Sequence, residues 1–157
     1  MIEIERKFLI KSDAFKSEAV SQERIVQGFL NTHEERTVRV RISGDFGYLT
    51  IKGKSNEAGT SRFEWEKELS LDEAEALLLL CEEGIIEKTR YAVPTGQHIF
   101  EIDEFHGANK GLIIAEIELN YEDELYVQPD WLGDEVTGDI KYYNSKLSKN
   151  PFKTWRI

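Results

Sequence analysis

Segment after segment of this chain carries charge at every second position, and on most of these faces the charges are of one sign. In a strand, side chains at i and i+2 leave the same face. Glu3, Glu5 and Lys7 therefore share one face, opposite Ile4 and Phe8. Arg39 and Arg41 lie opposite Val38, Val40 and Ile42, and Lys52 and Lys54 lie opposite Ile51. Arg62, Glu64, Glu66 and Glu68 oppose Phe63, Trp65 and Leu69. Lys88 and Arg90 share a face, as do Glu101 and Asp103, and Glu116 and Glu118. An ordinary solvated face tends to mix signs, because like charges side by side repel.

Faces that are purely basic (Arg39/Arg41, Lys52/Lys54) or purely acidic (Glu116/Glu118) make sense around a ligand of both signs. A polyphosphate with a divalent metal is such a ligand. Basic side chains grip phosphate oxygens, and carboxylates hold Mg²⁺ or Mn²⁺. Without the ion, the carboxylates would repel the polyanion.

The rest of the pattern is β-rich. Residues 2–10, 24–30, 36–43, 47–54, 62–69, 86–93, 98–105 and 112–120 alternate, with turn signals such as Gly44-Asp45-Phe46-Gly47 and Pro94-Thr95-Gly96 between them. About eight strands at short spacing predict a barrel or sandwich in place of a βαβ sheet. Ser70-Leu71-Asp72-Glu73 is a capping box that opens a helix running to about Glu83, with Gly84 as its stop. Leu77, Leu78 and Leu80 give that helix an apolar face. Short helices are expected in 13–22 and 121–133, and one more in the tail around Leu147, Phe152 and Trp155, interrupted by Pro151.

Composition narrows the function. The 157 residues suggest one domain over 1–157, and 40% hydrophobic content excludes disorder. A net charge of −10 argues against nucleic acid and anionic membranes as partners, so any polyanion must meet a local basic site. Cys81 is the sole cysteine, which rules out an internal disulfide and suits a reducing cytoplasm; its apolar run marks it as a buried inert thiol. The N-terminus is too charged for a signal peptide, and the longest apolar run, Ala76 to Cys81, is too short to span a bilayer. Lys52-Gly53-Lys54-Ser55 lacks the upstream glycine of a phosphate-binding loop. His33, His98 and His106 are too scattered for a zinc site, and Trp65, Trp131 and Trp155 read as packing residues.

Glu3-Ile4-Glu5-Arg6-Lys7 is an ExExK motif. It is followed in order by Arg39-Val40-Arg41, Thr50-Ile51-Lys52, Arg62-Phe63-Glu64-Trp65-Glu66, Glu87-Lys88-Thr89-Arg90-Tyr91, Glu101-Ile102-Asp103, Glu116-Ile117-Glu118-Leu119 and Val136-Thr137-Gly138-Asp139. This ordered set, from residue 2 to about 147, resembles the CYTH family, the triphosphate tunnel metalloenzymes. The resemblance implies an α+β fold: a closed eight-stranded antiparallel barrel with a charged interior and a few helices outside. It also implies that Glu3, Glu5, Glu64, Glu66, Asp103, Glu116 and Glu118 bind divalent metal. Lys7, Arg39, Arg41, Lys52, Arg62, Lys88 and Arg90 would bind the triphosphate, joined by Lys141 at a position that is often Arg in the family. Lys7, Lys88 and Arg90 are the expected catalytic residues.

The activity implied is metal-dependent hydrolysis of a small-molecule triphosphate, foremost inorganic tripolyphosphate to diphosphate and phosphate. Alternatives are a thiamine or nucleoside triphosphatase, a class IV adenylate cyclase, or a non-catalytic polyphosphate-binding module. A homodimer is left open. One departure stands out. The family's short bacterial triphosphatases commonly read Gln-Gly-Tyr-Leu on the second strand, where the Tyr is thought to pair with the ExExK lysine to activate water. This chain reads Gln27-Gly28-Phe29-Leu30, so that hydroxyl is missing and a metal is expected to activate the water instead.

Overall fold

The computed structural model describes residues 1–155. Its strands are β1 (Ile2–Ile10), β2 (Ser21–Asn31), β3 (Arg36–Ser43), β4 (Phe46–Gly53), β5 (Ser61–Leu69), β6 (Ile86–Thr95), β7 (His98–Phe105), β8 (Ile113–Glu118) and β9 (Leu132–Glu135). Neighbours run β5-β4-β3-β2-β6-β7-β8-β1, and β1 returns to β5 through Ile2, Glu3 and Ile4 opposite Phe63, Arg62 and Ser61. That last pairing closes eight antiparallel strands into a barrel, which removes the exposed edges an open sheet would present. β9 continues the far end of β1, pairing at Phe8 and Ile10. Between β5 and β9, β1 is tied by the Glu5 N–H to the Thr60 carbonyl (2.9 Å) and by the Val136 N–H to the Lys7 carbonyl (2.8 Å).

One part of the core sits outside this wall, and another fills one end of the barrel. Alternation gives each strand one apolar face, and the inward face carries the charges, so the apolar faces must be covered from without. One cluster joins Phe8, Phe100, Ile102 and Ile117 of the wall to Phe15 of α1 (Phe15–Glu18) and to Trp131 and Leu132. A second lies on the inner face at one end of the barrel, where Phe29, Ile86, Phe105 and Ile114 pack against Tyr142 and Leu147 of α3 (Asn144–Leu147). The helix α2 (Leu71–Leu78) lies over β4, where Gly47 lets Ala74 approach; a Cβ at residue 47 would stand 2.5 Å from that of Ala74.

α2 opens on the predicted capping box: the Glu73 N–H donates to Ser70 Oγ (3.1 Å) and the Ser70 N–H to Glu73 Oε1 (3.0 Å). It ends at Leu78, sooner than expected, because the Glu82 N–H is taken by the Phe29 carbonyl of β2 (2.8 Å). Leu80 is consequently exposed and is no part of a packed face. The segment 121–133 forms no helix. Its local donors and acceptors go elsewhere: Glu124 accepts the Asn120 N–H (2.6 Å) and pairs with His98 (2.6 Å), while Glu122 pairs with Thr60 and Asn56. The tail forms α3 and a 3₁₀ turn at Phe152–Thr154, separated by Pro151.

Gly84 connects the end of the α2 region to the tail. Its φ is +100°, and a Cβ there would collide with the backbone carbonyl of Ser148. A left-handed non-glycine residue costs about 1–2 kcal/mol before any collision is counted. Gly84→Ala should therefore lower the melting temperature by roughly 4–8 °C in a chain of this size, at about 2 kcal/mol. Thermal melting followed by circular dichroism checks this, and an unchanged midpoint would contradict it.

Candidate active site

Strand register decides which charges meet, because directly opposed residues share a face. Glu5 stands opposite Glu118, Lys7 and Glu101 both stand opposite Glu116, and Lys52 stands opposite Glu64. The result is an interior cavity of about 200 Å³, far more than the roughly 10–15 Å³ one water needs. Glu3, Glu5 and Lys7 of β1 line it, with Arg39 and Arg41 of β3 and Lys52 of β4. Arg62, Glu64 and Glu66 of β5, Lys88 and Arg90 of β6, and Glu116 and Glu118 of β8 complete the predicted set.

Two predicted residues do not line the cavity. Asp103 shares the inner face but lies beneath Lys88 and Arg90, fully buried, accepting Arg90 through two nitrogens (2.8 and 2.9 Å) and Lys88 Nζ at 2.8 Å. Both of its oxygens are bonded to cations, so in this structure it orients Lys88 and Arg90. Lys141 is exposed on the outside, its ammonium 5.2 Å from the Tyr142 ring and 5.0 Å from the Trp155 ring. The 3₁₀ turn Ile140–Tyr142 buries Tyr142 in the second apolar cluster and thereby turns Lys141 outward.

In their place the cavity takes Glu101, Tyr143, Asn144 and Ser145. Glu101 was visible in the alternation, since it shares a face with Asp103. Tyr143 and Asn144 come from a turn with no periodicity to announce them. Lys7 Nζ lies 4.5 Å from the Tyr143 ring centre and the Arg62 guanidinium 5.4 Å from it, so one aromatic ring supports two cations. Phe29 also lines the cavity and is nearly fully buried.

The wall is laced with ion pairs that stop short of satisfying every group. Lys52 Nζ reaches Glu3 at 3.0 Å and Glu64 at 3.2 Å. Arg39 and Arg41 each stand 3.6 Å from Glu66, yet the buried Nε of both has no hydrogen-bond partner among the described residues. Arginines that line a cavity with donors still unpartnered are ready to donate hydrogen bonds to an anion. Burial, with Arg41 and Arg90 close by, pulls the Arg39 pKa down to about 10. Burial likewise brings Lys88 down to about 8, against the pull of Asp103.

The carboxylates behave as crowded pairs. Burial pushes the Glu5 carboxyl up to about 8, with Glu116 adding to the shift and Lys52 and Lys7 opposing it. Burial pushes Glu116 up as well, but Lys7 and Arg90 outweigh it and hold this carboxyl well below the usual range. Burial and the neighbouring Glu64 raise Glu3 despite Lys52. Among the described residues no three acidic, His or Cys side chains already stand at metal-holding spacing. The donor set nonetheless fits a hard divalent cation. It is all oxygen, and Glu64 raises Glu3 as Glu116 raises Glu5, a crowding of carboxylates that a cation would relieve.

Residues 1–149 match the CYTH domain family. The chain belongs to that family. It is 47% identical over 155 residues to an inorganic triphosphatase of Acetivibrio thermocellus, covering 98% of this chain and 97% of that one. An inorganic triphosphatase of Nitrosomonas europaea is 36% identical over 153 residues, covering 94% and 97%. A crystal structure of an inorganic triphosphatase superposes with a TM-score of 0.66 at 30% identity, covering 93% of each chain. The family's triphosphatases are metal-dependent. In this CYTH domain no helix among the described residues is long and apolar enough to cross a membrane.

Glu5 links the site to pH. Its folded pKa is raised, so in the metal-free protein it contributes stability that is fully present below its unfolded value of 4.5 and lost as pH rises through about 8. Glu5→Gln mimics the protonated form. In chelator it should melt above the wild type at pH 8, with the gap closing toward pH 5. Added divalent metal at pH 8 should narrow the gap by stabilising the wild type. A gap independent of pH would reject this account.

Proposed function

We propose that this CYTH domain hydrolyses inorganic tripolyphosphate to diphosphate and phosphate, with Mg²⁺ or Mn²⁺ as the ion, in the cytoplasm. The observation that carries the reading is the sorted cavity, where unpartnered arginine donors of β3 share one enclosed space with buried carboxylate pairs of β1, β5 and β8.

Arg39, Arg41, Lys52 and Arg62 hold the phosphate chain along the tunnel by charge-assisted hydrogen bonds. Lys7, Lys88 and Arg90 offset the charge that builds on the bridging oxygen as the terminal phosphoryl group departs, a preorganised electrostatic contribution. Asp103 fixes Lys88 and Arg90 in that orientation. Glu3, Glu5, Glu64, Glu66, Glu116 and Glu118 would hold the divalent ion. When bound, the ion supplies neutralisation of phosphate charge and a more acidic water. The narrow wall keeps the chain in line for attack on a terminal phosphorus.

Tripolyphosphate turnover should vanish in EDTA and return with Mg²⁺ or Mn²⁺. Glu116→Gln and Glu118→Gln should each raise the metal concentration needed for half-maximal rate, because each loses an anionic oxygen. A substrate panel that quantifies phosphate and cyclic AMP checks the reaction. Undiminished turnover in excess chelator, or cyclic AMP from ATP as the main product, would overturn the reading.

Phe29 tests how water is activated. It is buried against Ile86, Tyr142 and Leu147 and also lines the cavity. If the ion suffices, Phe29→Tyr should leave kcat unchanged or lower it. A kcat gain of about tenfold or more, with little change in KM, would mean that a hydroxyl at this position acts in the transition state.

A further inference from the structure

We propose that Asn144 is a substrate-binding residue, an uncharged donor set beside Lys88 to take an oxygen of the phosphate chain. The inference rests on the tripolyphosphate reading above.

Asn144 begins α3 and lines the cavity, although no strand carries it. Its Oδ1 accepts Lys88 Nζ at 2.9 Å and Gln27 Nε2 at 2.7 Å. An ammonium has donors and no acceptor, so Oδ1 and not Nδ2 must face Lys88. Gln27 must then present its own Nε2 to the same oxygen. This leaves Gln27 Oε1 buried with no partner among the described residues, a cost that a freely turning Asn144 would not require. With both donors on one side, the amide cannot flip. Its Nδ2 is left on the other side, with no hydrogen bond among the described residues.

The location gives that donor a purpose. Lys88 and Arg90 already crowd this part of the wall, and a further cation would repel both. A neutral amide adds a hydrogen bond to an anionic oxygen without adding charge. Lys88 and Asn144 are themselves bonded, so one phosphate oxygen could reach donors on both.

Asn144→Asp separates this role from a merely structural one. A carboxylate still accepts from Lys88 and Gln27, so the local bonds survive, but the donor is gone. The expected result is a KM for tripolyphosphate raised about tenfold or more, with the melting temperature unchanged or higher. The new charge could itself weaken anion binding, so a second measurement leaves the wild-type residue in place. The ¹⁵N–¹H side-chain amide signal of Asn144, assigned by its loss in Asn144→Asp, is followed while a methylene-bridged triphosphate analogue is added with Mg²⁺. It should shift well beyond the amides of Asn109 and Asn150. A wild-type KM in Asn144→Asp would overturn the proposal. So would a static Asn144 amide while ³¹P spectra report the analogue bound. A wild type that binds the analogue but turns over no tripolyphosphate would instead reject the functional reading, and the amide titration would still decide the role of Asn144.

Discussion

Everything in this structure depends on enclosing charge inside a closed wall. Isolated ions taken out of water cost several kcal/mol each even after relaxation, so a charged interior is tolerable only where opposite signs are held in register. The barrel does this through strand pairing. Lys52 on β4 bridges Glu3 on β1 and Glu64 on β5, and Asp103 on β7 joins Lys88 and Arg90 on β6. Shifting any of these strands by one residue would turn its charges into the apolar clusters and its aromatics into the cavity.

That constraint explains why one of the two apolar clusters lies outside the barrel. A strand has two faces, and once the inner one is charged, the outer one needs cover. Phe15 of α1 and Trp131 come from short, irregular segments that cover the outer face, while Tyr142 and Leu147 close one end of the barrel. Their brevity follows. Four-residue helices such as α1 and α3 could not stand alone, and they persist because the wall beneath them is rigid.

The interior is left incompletely neutralised. Two arginine Nε atoms lack partners, burial and Glu116 raise the pKa of Glu5, and Lys88 is held with a lowered pKa. Each departure weakens the empty protein, and each is relieved by a ligand that brings phosphate oxygens and a cation together. Because the groups sit on paired strands and not on loops, little reorganisation is needed when that ligand arrives. Tyr143 and Asn144 are the exception, since they reach the cavity from a turn.

The alternation of charged and apolar residues by itself determined the strands, their inner faces and most of the site, because a period of two leaves a side chain only two directions. It also indicated sorted charge around a ligand of mixed sign. Tertiary structure alone decided the rest. Glu101 and Asp103 share a face, yet only packing shows that Asp103 is covered by two cations while Glu101 meets the cavity. Lys141 looked like a continuation of the basic set, but burial of Tyr142 turned it to the surface. The end of α2 was set by a carbonyl of β2, and the strand at Leu132–Glu135 by the free edge of β1. These outcomes depend on contacts between residues far apart in the chain, and local periodicity carries no record of them.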